Sequence, residues 1–372
     1  MRVLFVASPL VGHVLPLVPL ATAFRDAGHD VVLATGGAGV GAAAPSGLPV
    51  RDVAPGFRTG PLFARIMLTH PRIARREMAG RGGTDGVGLL FAAVAERMAA
   101  ELVDLVDGWR PDLVVHEPLA AAGTLAAARH GVPVALVDLS LYDPEELLAA
   151  TATRLTAWSR RYGVGTLPVP AEVVRTAPPS VVEHRRGRLV RYVPATATGD
   201  VPAELFGSGD RPIVLVTRTT VPGPGRDLLM SRVVDAAAGA DLDLVLVRPD
   251  RRVARRRLPA GVRTVDWLPF ADVLPRLSGI VHHGGAGTLM TAFCAGIPQL
   301  AVPGAGDRRT HAELLAARGA GLAVEAADLT TADLQRLVTD PALRVAAREV
   351  AAEIAALPHP ADVVEPLVAL AR

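Results

Sequence analysis

The sequence predicts an α/β protein with two Rossmann-like, doubly wound domains, and three observations support this. The length of 372 residues suits two domains of ordinary size. Short apolar runs alternate with helical stretches, which is typical of parallel sheets covered on both faces. This alternation occurs as two series, separated by a stretch with linker composition.

The first series begins at the N-terminus, where a strand at 2–7, a loop at 8–14, a helix at 15–27 and a strand at 30–34 are predicted. Its later elements are a helix at 89–108, a strand at 112–115, a helix at 119–130 and a strand at 132–137, with a loop at 80–86. The second series contains predicted strands at 212–216, 243–247, 262–265, 279–282 and 298–302.

These series divide the chain into a domain at 1–196, a linker at 197–211, a domain at 212–356 and a terminal helix at 357–372. Doubly wound sheets bind ligands outside the carboxyl ends of their strands. We therefore expect a ligand-binding cleft between the two domains.

Composition argues against nucleic acid as a partner. The formal charge is +2 and the pI about 9.2, but all 39 basic residues are arginines, which codon bias in a GC-rich genome explains. Only 3 tyrosines and 8 phenylalanines accompany them, without a recognisable reader motif. The single Cys294 excludes an internal disulfide and fits a reducing compartment.

The N-terminus mimics a secretion signal, because Arg2 precedes an apolar stretch that ends in the small residues 21–23. Gly12, Pro16 and Pro19 interrupt that stretch, and cleavage would remove the first strand of a domain. No run of about 20 apolar residues predicts a membrane span. We therefore expect a cytoplasmic protein.

The strongest motif is Val281-His-His-Gly-Gly-Ala-Gly-Thr288, between a strand and a helix predicted to begin near Leu289. Glycines allow the backbone to approach a ligand closely, and the helix N-terminus offers unpaired N–H groups to a diphosphate. Thr288 would cap the helix or donate its hydroxyl to a phosphate oxygen. The alternative is a plain glycine turn with Thr288 as its helix cap.

A longer ordered set of motifs surrounds this loop: Trp267-Leu-Pro-Phe, His283-Gly-Gly-Ala-Gly-Thr288, Gly296-Ile-Pro-Gln-Leu-Ala-Val-Pro303 and Gly306-Asp307, with Gly12-His13-Val-Leu-Pro16 near the start. The set resembles the family 1 glycosyltransferases, most closely the actinobacterial natural-product branch that includes the calicheamicin and macrolide enzymes. The resemblance implies a GT-B fold. The domain at 1–196 would then bind the acceptor, the domain at 212–356 the nucleotide sugar, and the helix at 357–372 would pack back toward the first domain.

The resemblance also implies a set of donor-binding residues. Trp267 would stack on the nucleotide base, and His283 would meet the diphosphate. The remaining members would cradle the diphosphate or bind the sugar; they are Thr217, Gly285, Gly287, Thr288, Asp307 and Arg308.

The chain departs from the family pattern at some of these positions. Arg308 stands where glutamine is usual, Thr219 where glycine is expected, and Asp266 where glycine is common. Arg308 would favour a donor other than glucose, and Thr219 would narrow the approach of the backbone to the diphosphate.

His13 is the candidate general base, because an acceptor hydroxyl attacks poorly until its proton leaves and histidine accepts protons near neutral pH. A buried carboxylate is needed to orient the ring and stabilise the imidazolium. Glu117, at the end of a predicted strand, occupies the family's position for that carboxylate. Asp138, at the end of the next strand, is the alternative partner.

The expected reaction is an inverting transfer of a deoxysugar from thymidine diphosphate to a hydroxyl of a small apolar aglycone. We expect no metal and no cofactor, the nucleotide diphosphate sugar being a co-substrate. The sequence leaves the oligomeric state open, a homodimer included.

Three alternative functions stay open. A C-glycosyltransferase acting on an aromatic polyketide would use the same base. An inactive helper paralogue is suggested by Thr219 and Arg308. A nicotinamide-dependent oxidoreductase is suggested by Gly37-Ala-Gly39-Val-Gly-Ala42, although this fingerprint follows the second strand rather than the first.

Overall fold

The computed structural model describes most of the chain, namely residues 1–78, 82–182, 185–195, 201–206, 210–219, 228–304 and 306–372. The strands of the first unit are β1 Arg2–Val6, β2 Asp30–Gly36, β3 Val50–Ala54, β4 Leu113–His116, β5 Val134–Val137, β6 Glu172–Arg175 and β7 Arg188–Leu189. Those of the second are β8 Ile213–Thr217, β9 Asp243–Val247, β10 Val262–Val265, β11 Gly279–His282, β12 Gln299–Ala301 and β13 Gly321–Ala323.

The α-helices are α1 Val11–Val14, α2 Val18–Asp26, α3 Ala38–Ala43, α4 Thr59–Thr69, α5 Pro71–Met78, α6 Thr84–Trp109, α7 Ala122–Ala128, α8 Pro144–Ala152, α9 Thr156–Arg161, α10 Leu229–Ala236, α11 Arg251–Ala254, α12 Phe270–Val273, α13 Ala286–Ala295, α14 Arg308–Arg318, α15 Thr331–Thr339, α16 Pro341–Ala356 and α17 Val364–Val368. Short 3₁₀ turns extend several of them, at Leu15–Leu17, Ala44–Ser46, Ala203–Phe206, Ala237–Gly239, Leu274–Arg276, Pro360–Val363 and Ala369–Ala371.

The predicted fold class is confirmed, since each unit is a parallel, doubly wound sheet. The first sheet has the order β3-β2-β1-β4-β5-β6-β7 and the second β10-β9-β8-β11-β12-β13. In both, the strand order reverses beside the first strand of the unit, which is the position where such sheets bind ligands. For β1 and β4 the register pairs Val6 with His116, so both strands end at the same level.

Both faces of each sheet are buried, which explains the unbroken apolar strands. In β1, Leu4 and Val6 belong to one core, and Val3 and Phe5 to another on the opposite face. The second core also takes up the buried residues of α17. Burying one such side chain contributes about 1.5–3 kcal/mol, so these strands are strongly favoured.

The contacts within the chain define units that differ from the predicted boundaries. One unit contains Met1–Ala177, His184–Ala195 and Ala356–Arg372, and the other contains Pro178–Glu183 and Thr196–Ala355. The segment from Pro178, predicted in the first domain, therefore groups with the second. The backbone N–H of Ser180 donates to Oε1 of Glu353 there, at 2.9 Å.

Several predicted loops are structured. The loop predicted at 8–14 contains α1, and the loop predicted at 80–86 already enters α6 at Thr84, while its residues 80–81 lie outside the described residues. The predicted linker at 197–211 contains a 3₁₀ turn at Ala203–Phe206, because Leu205 is buried in the second unit's core. Linker residues 197–200 and 207–209 also lie outside the described residues.

No single helix in the described ranges is long and apolar enough to cross a membrane. Helix α16 and the segment Pro360–Ala371 meet that test only when taken together as a bent pair.

Candidate active site

His13 and Glu117 form a close pair in the first unit. His13 is the third residue of α1, which follows β1, and Glu117 directly follows β4. Nδ1 of His13 lies 3.2 Å from Oε1 of Glu117. This is an ion-pair distance, although the N–H does not meet the geometry of a hydrogen bond.

Glu117 is held as a carboxylate by the backbone around it. The N–H of Ser8 donates to Oε1 at 3.0 Å and the N–H of Leu119 to Oε2 at 2.7 Å. Burial alone would raise the pKa of Glu117, but the neighbouring His13 and the hydrogen bond from the Ser8 N–H outweigh it and keep the pKa below its usual value. The side chain is therefore ionised while fully buried.

The imidazole of His13 is partly accessible, whereas its partner is not. The side chain of His13 is 19% exposed and that of Glu117 is 0% exposed. The ring of Phe91 on α6 packs against the imidazole of His13 with 5.0 Å between centroids. The imidazole is thus contacted by Phe91 and Glu117 and stays partly exposed.

Asp138, the alternative partner, has other contacts. Its Oδ1 accepts hydrogen bonds from the backbone N–H and the hydroxyl of Thr176, both at 2.6 Å, and its Oδ2 accepts from Ala177 N–H at 3.3 Å. Burial raises the pKa of Asp138 despite these bonds. Asp138 therefore ties β5 to the end of β6, and the structure pairs His13 with Glu117.

His116 lies behind the pair and was not identified from the sequence. Its Nδ1–H donates to the carbonyl of Glu117 at 2.7 Å, and its Nε2 lies 2.6 Å from Oγ1 of Thr124. Burial lowers its pKa, so the ring is neutral. A Cβ at Gly123 would stand 3.1 Å from the ring, so a glycine there makes room for it. The one sequence feature that could have identified His116 is its position as a polar residue directly before Glu117.

In the second unit, the glycine motif forms the turn from β11 into α13. Gly284 has φ +84°, and a Cβ there would lie 2.7 Å from the carbonyl oxygen of Arg308, so glycine is required. Gly285 is the N-cap residue of α13, which begins at Ala286. The predicted start near Leu289 and the capping role of Thr288 are therefore wrong; Thr288 lies in the first turn of the helix.

Two buried histidines hold this turn. His282 accepts the N–H of Gly284 on Nδ1 at 3.0 Å and donates from Nε2 to Oε1 of Gln299 at 2.9 Å. His311 donates from Nδ1 to the carbonyl of Gly284 at 2.9 Å. Burial, with a smaller effect from His311, lowers the pKa of His282 to about 4. The role of these two histidines in supporting the loop was not predicted from the sequence.

His283 covers the beginning of α13. A Cβ at Gly285 would lie 2.4 Å from its Nε2, so the ring occupies the space above that glycine. Burial, followed by the positive charge of Arg308, lowers the pKa of His283 well below its usual value, so the ring is neutral. Its Nδ1 is buried without a hydrogen-bond partner within the described part of the chain.

Gly287 differs from the other glycines of the motif. A Cβ there would meet nothing within 4 Å, and the residue is exposed on the first turn of α13. A glycine inside a helix costs about 1 kcal/mol relative to alanine. No contact within the described chain explains that cost at Gly287.

The other predicted donor residues lie at the ends of neighbouring elements. Thr217 is buried at the end of β8, the strand beside β11. Asp307 is the N-cap residue of α14 but makes no side-chain capping bond; its carboxylate is 43% exposed and lies 3.6 Å from Nε2 of buried His311. Trp267 follows β10 at the sheet edge, and its side chain is 46% exposed.

A basic recess that the sequence analysis did not predict opens at the carboxyl ends of β8 and β9. Its volume is about 480 Å³, and it is lined by Arg218, Thr219, Arg248, Pro249, Asp250 and Arg251. Asp250 is already occupied in capping α11 through the N–H groups of Arg252 and Val253. The lining therefore carries an excess of positive charge.

The glycine run at 37–42 has a packing explanation. A Cβ at Gly39 would lie 2.5 Å from Oγ1 of Thr35 and 2.9 Å from Cγ2 of Val14, and Gly37 has φ +49°. These glycines let α3 approach β2 and α1. The oxidoreductase interpretation loses the observation on which it rested.

Two doubly wound sheets, one of them with a glycine turn leading into a helix N-terminus, are the architecture of the GT-B glycosyltransferases. Comparison with known proteins agrees. Residues 22–181 match the N-terminal domain, and residues 231–370 the C-terminal domain, of the family described as "Erythromycin biosynthesis protein CIII-like".

The elloramycin glycosyltransferase of Streptomyces olivaceus is 37% identical, over 98% of this chain and 96% of that protein. The crystal structure of the glycosyltransferase SnogD from Streptomyces nogalater superposes with a TM-score of 0.83 at 33% identity, over 100% of this chain and 99% of that one. Spinosyn rhamnosyltransferase SpnG, 26% identical over 99% of this chain and 100% of its own, has been solved with thymidine diphosphate (TM-score 0.80) and with spinosyn aglycone (TM-score 0.82).

The chain belongs to the actinobacterial natural-product branch of the family 1 GT-B glycosyltransferases. It is a nucleotide-sugar-dependent glycosyltransferase of antibiotic biosynthesis.

Proposed function

We propose that this enzyme transfers a deoxysugar from thymidine diphosphate to a hydroxyl group of a small apolar aglycone, with inversion at the anomeric carbon and with His13 as the general base. The observation that carries the proposal is the contact between His13 and the buried, ionised Glu117. An imidazole with an exposed side and an anionic partner is suited to taking a proton from an alcohol.

The donor part of the proposal rests on the turn at 283–285. The N–H groups at the start of α13 carry partial positive charge, which favours a diphosphate. Gly287 leaves the outer face of that first turn free of side chain, so phosphate oxygens can reach the backbone. The thymidine nucleotide is supported by the thymidine diphosphate complex of SpnG. We assign Trp267 to the base and Asp307 to the sugar hydroxyls, in keeping with their exposure.

Inversion follows from a single displacement. His13 removes the proton of the acceptor hydroxyl, the oxygen attacks the anomeric carbon, and the nucleotide diphosphate leaves from the opposite side. Glu117 stabilises the imidazolium that forms and keeps the Nδ1 proton on its own side of the ring. The charge that develops on the leaving diphosphate is met by α13 and by Arg308, and we propose that no metal ion is needed.

Two measurements test this function. Thymidine diphosphate should stabilise the protein against heat, because a ligand present at 100 times its dissociation constant adds about 2.7 kcal/mol to the free energy of unfolding. Incubation with thymidine diphosphate deoxysugars and polyketide aglycones should yield a glycoside whose anomeric configuration, read by NMR, is opposite to that of the donor. A folded protein that thymidine and uridine diphosphates at millimolar concentration do not stabilise would refute the donor assignment, and retention of configuration would refute the mechanism.

A further inference from the structure

We propose that Thr219 and Arg308 act as one unit in the donor site, in which Thr219 positions the guanidinium of Arg308 and Arg308 binds the diphosphate of the donor. This inference rests on the proposed function, because it requires a nucleotide diphosphate as substrate. Both residues are departures from the family pattern: Thr219 lies just after β8, and Arg308 lies at the start of α14.

The two side chains are in direct contact. Nη2 of Arg308 donates a hydrogen bond to Oγ1 of Thr219 at 2.9 Å, across 89 positions of sequence. Thr219 follows β8 by two residues, and Arg308 is the first residue of α14. A glycine at 219 would offer no side-chain acceptor, so the threonine is what makes this contact available.

Arg308 is held at its backbone and its stem as well as at its head. Its carbonyl oxygen lies 2.7 Å from where a Cβ of Gly284 would be, so its backbone packs directly on the turn before α13. Its Nη1 and Cδ lie 2.9 and 3.5 Å from the corresponding point at Gly304. The hydrogen bond to Thr219 and this packing restrict the rotamers of Arg308, which lowers the entropic cost of binding a ligand.

The charge of Arg308 reaches the diphosphate-binding turn. After burial, the positive charge of Arg308 is the largest cause that lowers the pKa of His283, whose ring covers Gly285. A diphosphate at the beginning of α13 would therefore feel both the helix N-terminus and a permanently charged guanidinium. Guanidinium groups suit phosphate because their N–H groups form parallel bonds to two oxygens.

Space for the ligand adjoins the pair. Thr219 is part of the wall of the 480 Å³ basic recess at the ends of β8 and β9. Thr219 therefore borders that recess and also accepts the hydrogen bond from Arg308. Instead of obstructing the diphosphate, as the sequence suggested, the side chain of Thr219 would hold a cation close to the turn before α13.

The test is a double-mutant cycle on nucleotide affinity, measured by calorimetry with thymidine diphosphate and, separately, thymidine monophosphate. Arg308→Gln should weaken binding of the diphosphate by about 10- to 100-fold, the range for one hydrogen bond to a charged group. Thymidine monophosphate should lose clearly less, since it lacks the second phosphate. Thr219→Val removes the hydroxyl at nearly constant shape and should weaken binding of thymidine diphosphate by about 3- to 10-fold. Thr219→Ser, which restores the acceptor, should recover most of that loss.

Coupling between the residues is the deciding result. In the Arg308→Gln background, Thr219→Val should have little further effect, because the group that Thr219 positions is gone. Equal losses for the two nucleotides, an unchanged diphosphate affinity in Arg308→Gln, or additive effects of the two substitutions would each overturn the proposal while leaving the donor site intact. If the wild-type protein, shown to be folded, binds no thymidine diphosphate, the proposed function fails and this role fails with it.

Discussion

Nδ1 of His13 lies 3.2 Å from a carboxylate oxygen of Glu117, whose side chain has no exposed surface, while the side chain of His13 is itself 19% exposed. A base that acts on a neutral hydroxyl needs both features: an anionic partner at one ring nitrogen and access for the acceptor to the ring. Much of the enzyme's proposed chemistry can be tested through this pair.

Replacing His13 by alanine should lower turnover with an alcohol acceptor by about 10²–10⁴-fold, because the base itself is removed. Glu117→Gln keeps the shape but loses the charge that stabilises the imidazolium, and should also slow chemistry, by up to about 10⁴-fold. Asp138→Asn is the matched control: it changes a buried carboxylate that binds Thr176 instead of His13, and should leave kcat within about tenfold. Single-turnover rates report chemistry directly. A crippled Asp138→Asn beside an active Glu117→Gln would mean that the partner was misassigned.

The pH dependence of His13→Ala should separate two kinds of acceptor. A phenol ionises at high pH without help, so raising the pH should partly restore turnover in the variant. An aliphatic alcohol stays protonated and should show no recovery. A deprotonated phenol is also nucleophilic at its ring carbon, and mass spectrometry after acid hydrolysis would reveal a C-glycoside. Recovery with an aliphatic alcohol would argue against His13 as the base.

Gly287→Ala should damage donor binding without damaging the fold. A methyl group there meets no atom of the described chain within 4 Å, and alanine favours a helix over glycine by about 1 kcal/mol. Affinity for thymidine diphosphate should nevertheless fall about tenfold or more, since crowding by a methyl group costs about 1–3 kcal/mol. Gly41→Ala, in α3 and equally free of contacts, is the control and should leave affinity unchanged. Unaltered binding by Gly287→Ala would remove this turn from the donor site.

Acid should weaken the second unit through His282. Its pKa is about 4 in the folded protein and 6.5 in an unfolded chain, so the unfolded state binds more protons between these values. The free energy of unfolding should therefore fall as the pH drops from 6.5 toward 4, by up to about 3 kcal/mol from this group. Denaturant titrations of His282→Asn should show a shallower slope over that window than those of the wild type. Parallel slopes for His282→Asn and wild type would contradict this account.

Turnover should survive chelation of divalent metals. The N-terminus of α13 and the guanidinium of Arg308 offer the leaving diphosphate the positive charge that a metal ion would otherwise supply. Initial rates in excess EDTA should match those in magnesium. Activity that disappears in EDTA and returns with magnesium or manganese would disprove the expectation.

The sequence predicted the strands well where they are buried on both faces, because runs such as Val3–Val6 have no polar interruption. It found Glu117 as a candidate on two signals, its place after a predicted strand and its match to the position where the family that the sequence resembles has this carboxylate. It missed β6 and β7, whose segments lack clear alternation, and it missed α1, which is shorter than the periodicity that reveals a helix. The start of α13 was placed late because Ala286 and Gly287 carry no apolar signal.

Long-range contacts were beyond the sequence. The bond from His311 to Gly284 spans 27 positions and the bond from Arg308 to Thr219 spans 89. Thr219 and Arg308 looked like two separate departures from a pattern, and only the hydrogen bond between them shows that the two residues are related. Sequence spacing carries no information on such pairs.

The carboxylate of Glu117 owes its ionisation partly to main-chain N–H groups, at Ser8 and Leu119. Substitution can change any side chain, but it leaves main-chain donors in place, proline excepted. Substitutions around Glu117 therefore leave these two hydrogen bonds to its carboxylate in place. Selection can alter the residues that meet the acceptor, and with them the range of aglycones, without having to rebuild the proton-transfer apparatus each time.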